Sequence, residues 1–336
     1  MQRSIRIAIV AALLAALLVP AGAASAAGRM YYLVAHGGGE TSSILSSRPD
    51  GTGMRTVVAK AGRYGLLRAS GGYLYWTHAE GTSIARARMD GSHVQLHFIK
   101  APAGTTILGG LAVAGGCVFY TAAEGGAKGQ SYRSVVERAC LAHPGRSRRV
   151  LRLPVGILAV GIAADARHLY LAAGLTKLVS VIYRVDHDGT HRRTLVRLAG
   201  SRVRDAVDLV VAGGRIYFGG TYPWNGNFGL AIGRVDVDGS HYRTLFRKRN
   251  NEAVYGVGVS AGRVFVATLN ATTRHSTISS VRASGGGYKH LSTASAGNLY
   301  IGLAVLEPTA IALGPGMRAP GLATFQVTVP GSGMVT

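Results

Sequence analysis

Short stretches in which apolar and polar residues alternate follow one another along most of the chain, and glycine-containing turns separate them. The apolar positions are rich in β-branched and aromatic residues, which suit a pleated surface that is buried on one side. The 48 glycines and the charged fraction of only 15% favour tight turns over long charged helices. The pattern predicts an all-β protein.

An internal repeat organises these strands. An aromatic residue at the centre of the second strand of each unit returns every 44 to 51 residues, as Tyr75, Phe119, Tyr170, Tyr217 and Phe265. Tyr32 is the expected equivalent in the first unit, and Ile311 marks a last, decayed copy. A period in this range is typical of one propeller blade with four strands.

The other strands of the repeat also have recognisable forms. The first strand reads Gly-apolar-x-apolar, as in Gly110–Val113, and Asp208 replaces the leading glycine in one unit. The third strand reads Ile-x-Arg-x-x-x-Asp-Gly, and intact copies begin at Ile84, Ile182 and Ile232. The Asp-Gly pair predicts a tight hairpin, because glycine adopts a positive φ without steric cost.

The ends of the repeat bear on the number of blades. The first unit lacks its innermost strand, whereas Tyr300–Leu306 is an innermost strand without a blade of its own. Pairing the two closes a ring of six four-stranded antiparallel blades and removes exposed sheet edges. Ala310–Leu313 and Ala323–Val329 resemble further strands, so seven blades is the alternative. We assign residues 27–314 to the propeller and residues 315–336 to a peripheral C-terminal strand or tail.

One blade resembles a known family. Tyr75-Trp76-Thr77-His78, followed by Ile84-Ala85-Arg86 and Asp90-Gly91, is similar to the YWTD repeat of low-density-lipoprotein-receptor-type propellers and their bacterial secreted relatives. His78 stands where the family has Asp, and no other blade keeps Tyr-Trp-Thr. The resemblance covers roughly residues 30–306 and implies a module that binds proteins or serves as a scaffold.

The first residues read as a targeting segment. Arg3 and Arg6 precede the apolar run Ile7–Leu18, and Ala24-Ser25-Ala26 has the small-x-small form of a signal-peptidase site. We therefore expect residues 1–26 to be a signal peptide cleaved near Ala26. The mature chain is then expected to be extracytoplasmic, with no transmembrane segment.

The charge balance suggests a class of partner. The chain has 37 basic and 15 acidic residues, a formal net charge of +22. Such a surface attracts polyanions, which for an exported protein means wall polymers or other anionic polysaccharides. A specific nucleic-acid partner is not expected, because the basic residues are scattered and no reader motif is present. The arginine content has a second interpretation, as a feature of overall composition. The oligomeric state is not indicated.

The two cysteines are placed to pair. Cys117 begins one predicted strand and Cys140 ends the next, so an antiparallel hairpin brings them opposite each other. An oxidising exterior allows such a bond. No C-x-x-C motif or histidine at ligand spacing accompanies them, so no metal and no cofactor is expected.

Candidate ligand-binding residues gather on one face of the predicted propeller. Loops that join the fourth strand of one blade to the first of the next share a face with loops between second and third strands. In blades five and six these loops hold an expected exposed Tyr and Trp beside polar residues. The candidates are Arg202, Arg204, Tyr222, Trp224, Asn225, Asn227, Glu252 and Arg274.

Catalysis is the alternative function. A lyase- or lactonase-like enzyme would use the central channel, where Asp205, Asp208 and Glu252 are the nearby acids. General acid–base chemistry needs two matched groups within reach of each other, and the sequence does not assemble them. His93, His191 and His241 recur after the hairpin turns and are interpreted as surface turn residues. The sequence therefore favours a non-catalytic protein that binds a macromolecule, either a protein or an anionic polymer.

Overall fold

Six four-stranded antiparallel sheets form a closed ring, which confirms the prediction of a six-bladed propeller. The computed structural model describes residues 28–37, 41–62, 65–78, 81–125, 133–176, 179–199, 203–224 and 227–306. Residues 1–26 and the strands expected after residue 307 lie outside this part of the chain. Within it, no helix is long and apolar enough to cross a membrane.

The strands follow the chain in order, four to a blade, except in blade one. Blade one comprises β1 (Met30–His36), β2 (Thr41–Ser47), β3 (Arg55–Val58) and β24 (Leu299–Val305). Blade two comprises β4 (Leu67–Ser70), β5 (Tyr73–His78), β6 (Ser83–Arg88) and β7 (Gln95–Lys100). Blade three comprises β8 (Thr105–Ala114), β9 (Cys117–Glu124), β10 (Arg133–Cys140) and β11 (Ser147–Arg152).

The second half of the ring has the same arrangement. Blade four comprises β12 (Leu158–Ala164), β13 (His168–Thr176), β14 (Val179–Asp186) and β15 (Arg193–Leu198). Blade five comprises β16 (Arg204–Ala212), β17 (Arg215–Trp224), β18 (Asn227–Asp236) and β19 (Arg243–Lys248). Blade six comprises β20 (Glu252–Ser260), β21 (Arg263–Asn270), β22 (Ser276–Arg282) and β23 (Lys289–Thr293).

Blade one is shared between the two ends of the described chain. Its innermost strand, β24, pairs with β1 in antiparallel register, with Met30 opposite Val305 and Tyr32 opposite Leu303. This is the ring closure that the sequence predicts, and it gives six blades. It leaves neither β1 nor β24 with an unpaired edge on that side.

The hydrophobic core is divided among the interfaces between blades. Each of the six interfaces has a cluster of buried side chains of its own. The repeated aromatics supply one large side chain to each interface and face the following blade, as Tyr75 does towards blade three and Tyr170 towards blade five. Burial of one such side chain stabilises the fold by about 2–3 kcal/mol, so the repeat encodes the packing of one blade on the next.

Blade one requires a correction at this position. The register places Tyr31, not Tyr32, at the repeated aromatic site, because Tyr31 pairs with Ala304 as Phe119 pairs with Ala112. Tyr31 accordingly packs in the interface with blade two, whereas Tyr32 faces blade six. Two adjacent tyrosines point to opposite faces of a strand, so only the pairing with β24 distinguishes them.

The Asp-Gly turns do more than reverse the chain. Each lies against the outermost strand of the preceding blade. At Gly189 of blade four, φ is +92° and a Cβ would overlap the carbonyl oxygen of Val150 in blade three. Gly239 of blade five has the same relation to Leu195 of blade four: a Cβ on Gly239 would lie 2.8 Å from the carbonyl oxygen of Leu195. Glycine is therefore needed both for its backbone conformation and for this close approach.

A disulfide joins Cys117 and Cys140 in blade three. The two residues are register partners at the end of the β9–β10 ladder, and 23 positions separate them in the chain. Blade three is also the unit in which the Asp-Gly turn is replaced by His143-Pro144-Gly145, and a Cβ on Gly145 would meet no atom within 4 Å. The blade that lacks the close contact with its predecessor is thus held by a covalent bond.

Candidate functional site: the mouth of the central channel

The inner strands of all six blades run in the same direction along the channel. We call the face at which they begin the upper face. The connections from one blade to the next and the turns between second and third strands lie there, whereas the Asp-Gly turns lie on the lower face. Loops from every blade therefore surround one end of the channel.

A cavity of about 770 Å³ opens at this upper end. Its described lining comes from all six blades and is made of small and aliphatic residues, among them Leu66, Leu108, Val160, Val254 and Leu299. Threonine hydroxyls and the ring of Tyr255 are its polar side chains, and no described lining residue carries a charge. A cavity of this size and apolar character is typical of a binding site for a small molecule or an inserted side chain.

Tyr255 is one of the residues that line this cavity. It is 38% exposed, one of four large hydrophobic side chains of the described chain with substantial exposure. Val155, in the connection that enters blade four, is 50% exposed and lies on the same face. Exposed apolar side chains around an apolar opening are a common feature of protein-binding surfaces.

An ion pair closes the channel beneath the cavity. Along β4 and β16 the cavity-lining residues Leu66 and Val207 are followed, deeper in the channel, by Arg68 and Asp208. The Arg68 guanidinium and the Asp208 carboxylate meet across the ring, with Nη2 against Oδ1 and Nη1 3.3 Å from Oδ2. Their side chains are 14% and 1% exposed, so this ion pair is largely shielded from water.

Asp208 occupies the position that is glycine in most blades. In blade six the residue at this position is Gly256, and a Cβ on it would lie 2.7 Å from the backbone nitrogen of Leu303 in the next inner strand. At the equivalent contact, the Asp208 carboxylate accepts a hydrogen bond from the backbone N–H of Val257 at 2.8 Å. A second acceptor bond, from its neighbour Leu209, is 2.9 Å long. Two N–H donors and one guanidinium satisfy this buried charge.

The catalytic alternative finds little support in these contacts. Asp208 is held by Arg68 and two backbone donors. Glu252 is 5% exposed and accepts from Lys248 Nζ at 3.1 Å and from the Thr268 hydroxyl at 3.3 Å. Burial opposes the charge on Lys248, but the hydrogen bond and charge of Glu252 outweigh it, and the pKa of Lys248 is raised. Both carboxylates are thus engaged in ion pairs and hydrogen bonds within the protein.

The predicted patch on blades five and six is assembled only in part. Arg202 and Asn225 lie outside the described residues, and Arg204, Trp224 and Asn227 are described in backbone alone. Asp205, an acid of the catalytic alternative, is likewise described only in backbone. Arg274 is exposed in the β21–β22 turn at a φ of +59°. The side chains of Tyr222 and Glu252 are buried. Ligand binding at these positions stays a prediction.

Two expectations about this patch are wrong. The segment around Trp224 is not a long loop: β17 and β18 extend as a hairpin in which Trp224 pairs with Asn227. Tyr222 is not an exposed platform but a buried residue of the interface between blades four and five. Its ring lies close to Gly229, and the Arg247 guanidinium covers it at 5.3 Å from the ring centroid. The strand pairing continues past the predicted turn and carries Tyr222 inward.

The three recurrent histidines lie in lower-face turns of blades two, four and five. Each has a positive φ, between 51° and 55°. His191 Nδ1 lies 2.9 Å from Asp186 Oδ2, and His241 Nδ1 lies 3.0 Å from Asp236 Oδ2, so these rings bond within their own blade. They serve turn geometry, as the sequence analysis interprets them.

The cavity itself has no distinctive motif in the sequence. Its lining residues, such as Leu108 and Val254, are ordinary apolar residues in first strands, and their side chains read as core. They line an opening because six strand ends converge there. The one sequence feature that indicates this lining is the run of aliphatic residues just before the repeated glycines.

Comparisons with known proteins support the architecture. No protein-family model matches the sequence, and no curated protein matches it. Among solved structures, the chain is similar to a propeller in the crystal structure of a nidogen/laminin complex, with 16% identity and a TM-score of 0.60 over 82% of this chain and 98% of that one. It is also similar to TolB from Acinetobacter baumannii, with 14% identity and a TM-score of 0.60 over 83% and 67%. At such low identity the likeness concerns the fold: the chain is a β-propeller with structural neighbours of the YWTD and TolB types.

Proposed function

We propose that this chain is an extracytoplasmic, non-catalytic propeller that binds a protein partner on its upper face, with an apolar side chain of the partner inserted into the channel mouth. The observation that carries the proposal is the uncharged, largely aliphatic cavity of about 770 Å³ that opens among the loops. An apolar opening with an exposed tyrosine in its lining favours a protein over an anionic polymer, because a polymer of charged units gains little from it.

The floor of the cavity supports binding over chemistry. The Arg68–Asp208 pair places its charges against each other and against backbone donors. These groups keep the channel rigid and closed rather than presenting an acid or base to a ligand. A preformed, rigid pocket lowers the conformational cost of binding, which suits recognition.

The proposed location rests on two observations. The segment of residues 1–26 has the form of a signal peptide, and the Cys117–Cys140 disulfide is typical of an oxidising compartment. Mass spectrometry of the protein recovered from outside the cytoplasm tests this directly. An N-terminus at Ala27 is expected, and an intact Met1 would contradict cleavage.

The function is tested by affinity capture from the extracytoplasmic fraction of the source cells, with the wild-type protein and two variants. Tyr255→Ala alters the cavity lining, and Met54→Ala is the matched control, since Met54 is similarly exposed, at 42%, in a lower-face turn. We expect a protein retained by wild type and by Met54→Ala to bind Tyr255→Ala at least tenfold more weakly, as for a central interface residue. Equal retention by all three proteins would contradict the assignment of this face.

The predicted loop contacts supply a second test on the same face. Arg204 begins β16 and Trp224 ends β17, so both lie at the upper ends of strands in blade five, whereas Arg202 lies outside the described residues. If they contact the same partner, Trp224→Ala weakens binding of the captured protein in addition to Tyr255→Ala. If Trp224→Ala has no effect, the interface is confined to the channel mouth.

A further inference from the structure

The outermost strands of blades three, four and five share an arrangement of arginines. β11, β15 and β19 read Ser-Arg-Arg-Val-Leu-Arg, Arg-Thr-Leu-Val-Arg-Leu and Arg-Thr-Leu-Phe-Arg-Lys, and none contains an acidic residue. The strand register shows that two arginines of each strand occupy equivalent sites. A lower set, near the Asp-Gly turns, consists of Arg148, Arg193 and Arg243. An upper set, four residues further along each strand, consists of Arg152, Arg197 and Arg247.

A third arginine faces the lower set across the sheet. Arg148 pairs with Arg138, Arg193 with Arg184, and Arg243 with Arg234. Like charges directly opposite each other on neighbouring strands destabilise a sheet. The same unfavourable pair is therefore present in three consecutive blades, and an anion bound between its members would relieve the repulsion.

The other half of the ring lacks this set. At the site of Arg148, blade two has Gln95, and its third-strand partner is Arg86. Blades one and six have Arg55 and Lys289 there, each opposite a serine. Exposed charges on an edge strand can serve to block sheet-to-sheet aggregation. All six blades have such an edge, so edge protection alone does not explain the concentration of arginine on three of them.

The described contacts leave the lower set accessible. The Arg148, Arg193 and Arg243 side chains are exposed. Arg193 Nη2 lies 3.4 Å from the carbonyl oxygen of Asp238, a backbone rather than a carboxylate contact. In the upper set, by contrast, Arg152 is paired with Glu124 at 2.9 Å. The lower set therefore offers an external anion the stronger electrostatic attraction.

A cleft on the lower face adjoins this surface at Arg138, the partner of Arg148, although none of the three arginines of the lower set lines it. It has a volume of about 580 Å³, lies between blades three and four, and is lined by Arg138 and Arg167 together with His168, His187, Asp186 and Asp188. The two carboxylates are engaged within their own blade. Asp186 faces His191 at 2.9 Å, and Asp188 accepts from the backbone of its own turn at 2.9 Å.

We propose that the outer strands of blades three to five form a binding surface for a flexible polyanion, a chain bearing repeated carboxylate or phosphate groups such as an acidic polysaccharide. Arginine binds both groups in a bidentate manner. The surface follows half the circumference of the ring and is convex, so a stiff DNA duplex, which bends only at considerable cost, does not follow it. Base stacking is not favoured either, since β11 and β15 contain no aromatic residue and Phe246 of β19 is stacked on Tyr288. This inference does not depend on the protein partner proposed for the upper face.

The test measures binding of the purified protein to polygalacturonate, to polyphosphate and to duplex DNA at several salt concentrations. The test variant is Arg148→Gln/Arg193→Gln/Arg243→Gln. The matched control is Arg55→Gln/Lys100→Gln/Lys289→Gln, which removes three exposed charges from outer strands of the other three blades. Both variants lose the same net charge, and unchanged circular dichroism and melting temperature verify that both fold.

We expect salt-sensitive binding to one or both flexible polymers, weakened roughly tenfold at low salt by the test variant and less than about twofold by the control. Polygalacturonate and polyphosphate distinguish a carboxylate from a phosphate ligand. Equal losses in the two variants would overturn the proposal in favour of diffuse charge. No binding to either flexible polymer, or tighter arginine-dependent binding to duplex DNA, would overturn it as well.

Discussion

Arg68 of blade two and Asp208 of blade five form an ion pair across the central channel, although 140 positions separate them in the chain. In a ring of six, blades two and five are diametrically opposite, so this contact spans the full width of the channel. The Asp208 carboxylate also binds Val257 of blade six. Three of the six blades are therefore coupled at one buried point.

Loss of Arg68 alone should destabilise the protein substantially. Arg68→Leu leaves the Asp208 carboxylate buried with backbone donors only, and we expect the free energy of unfolding to fall by about 2–4 kcal/mol. Addition of Asp208→Gly removes the orphaned charge and restores the residue that other blades have at this site, so the double variant should be more stable than Arg68→Leu. Urea denaturation of the four proteins of this cycle measures the coupling. Additive effects would mean that the two side chains do not interact.

The glycines of the lower-face turns should differ sharply in their tolerance of alanine. Gly189→Ala places a Cβ against the carbonyl oxygen of Val150 at a φ of +92°, and we expect a loss of roughly 2–3 kcal/mol. Gly213→Ala, at a φ of +55° with no atom within 4 Å of the new Cβ, should cost only about 1 kcal/mol of backbone strain. Thermal melting of both variants measures the difference. Equal effects would show that backbone conformation alone selects glycine.

Removal of the disulfide should destabilise the whole ring. The bond closes a loop with a sequence separation of 23, and the chain-entropy argument predicts that Cys117→Ser/Cys140→Ser lowers the free energy of unfolding by about 3 kcal/mol. Reduction of the wild-type protein should produce a similar change in the urea midpoint. A stability unaffected by both treatments would mean that blade three is held by its packing alone.

His78 should make stability depend on pH. This residue, which stands where the YWTD family has Asp, is 8% exposed, and its ring centroid lies 5.1 Å from that of His97. In the folded protein, burial lowers the pKa of His78 below the ordinary histidine value of 6.5, and the charge of His97 lowers it further. The unfolded chain therefore takes up this proton first as the pH falls, and the free energy of unfolding decreases below about pH 6.5.

The corresponding variant is His78→Phe, with His93→Asn as the control at an exposed turn histidine. Chemical denaturation between pH 5 and about pH 8 should give a shallower acid-side decrease for His78→Phe than for wild type, and an unchanged one for His93→Asn. Parallel curves for all three proteins would assign the acid sensitivity to other groups.

The architecture could be predicted because its signals are local and repeated. A glycine turn, an aromatic strand centre and an Asp-Gly hairpin recur in register, so a propeller closed by Tyr300–Leu306 could be predicted from the sequence, and the pairing of β24 with β1 selects six blades over seven. The assignment of Tyr31 could not be predicted. Strand β1 presents Tyr31 and Tyr32 to opposite faces. Which of them occupies the repeated aromatic site depends on pairing with a strand some 270 residues away, and a local sequence pattern does not contain that information.

The candidate site was less predictable, because it depends on where strand ends meet. Propeller topology predicts Tyr222 in an exposed loop between second and third strands, yet the ladder continues through this segment and buries the ring. Leu108 and Val254 have no distinguishing sequence, and only convergence of the inner strands makes them a cavity lining. The arginine sites of blades three to five are visible in sequence, but their equivalence requires the register of each outer strand.

The pairing of β24 with β1 has a consequence for the order in which the blades form as the chain is synthesised. Five blades are contiguous in sequence and can begin to form as their segments emerge. Blade one must wait for Leu299–Val305, so the ring stays open until nearly the whole described chain is present. Long-range pairing of this kind is slow, and until it occurs β1 and the last interface present unsatisfied backbone and apolar surface. The interval before closure is when this protein is most exposed to misassembly, and a chaperone or protease that acts on the newly made chain would meet it in that open form.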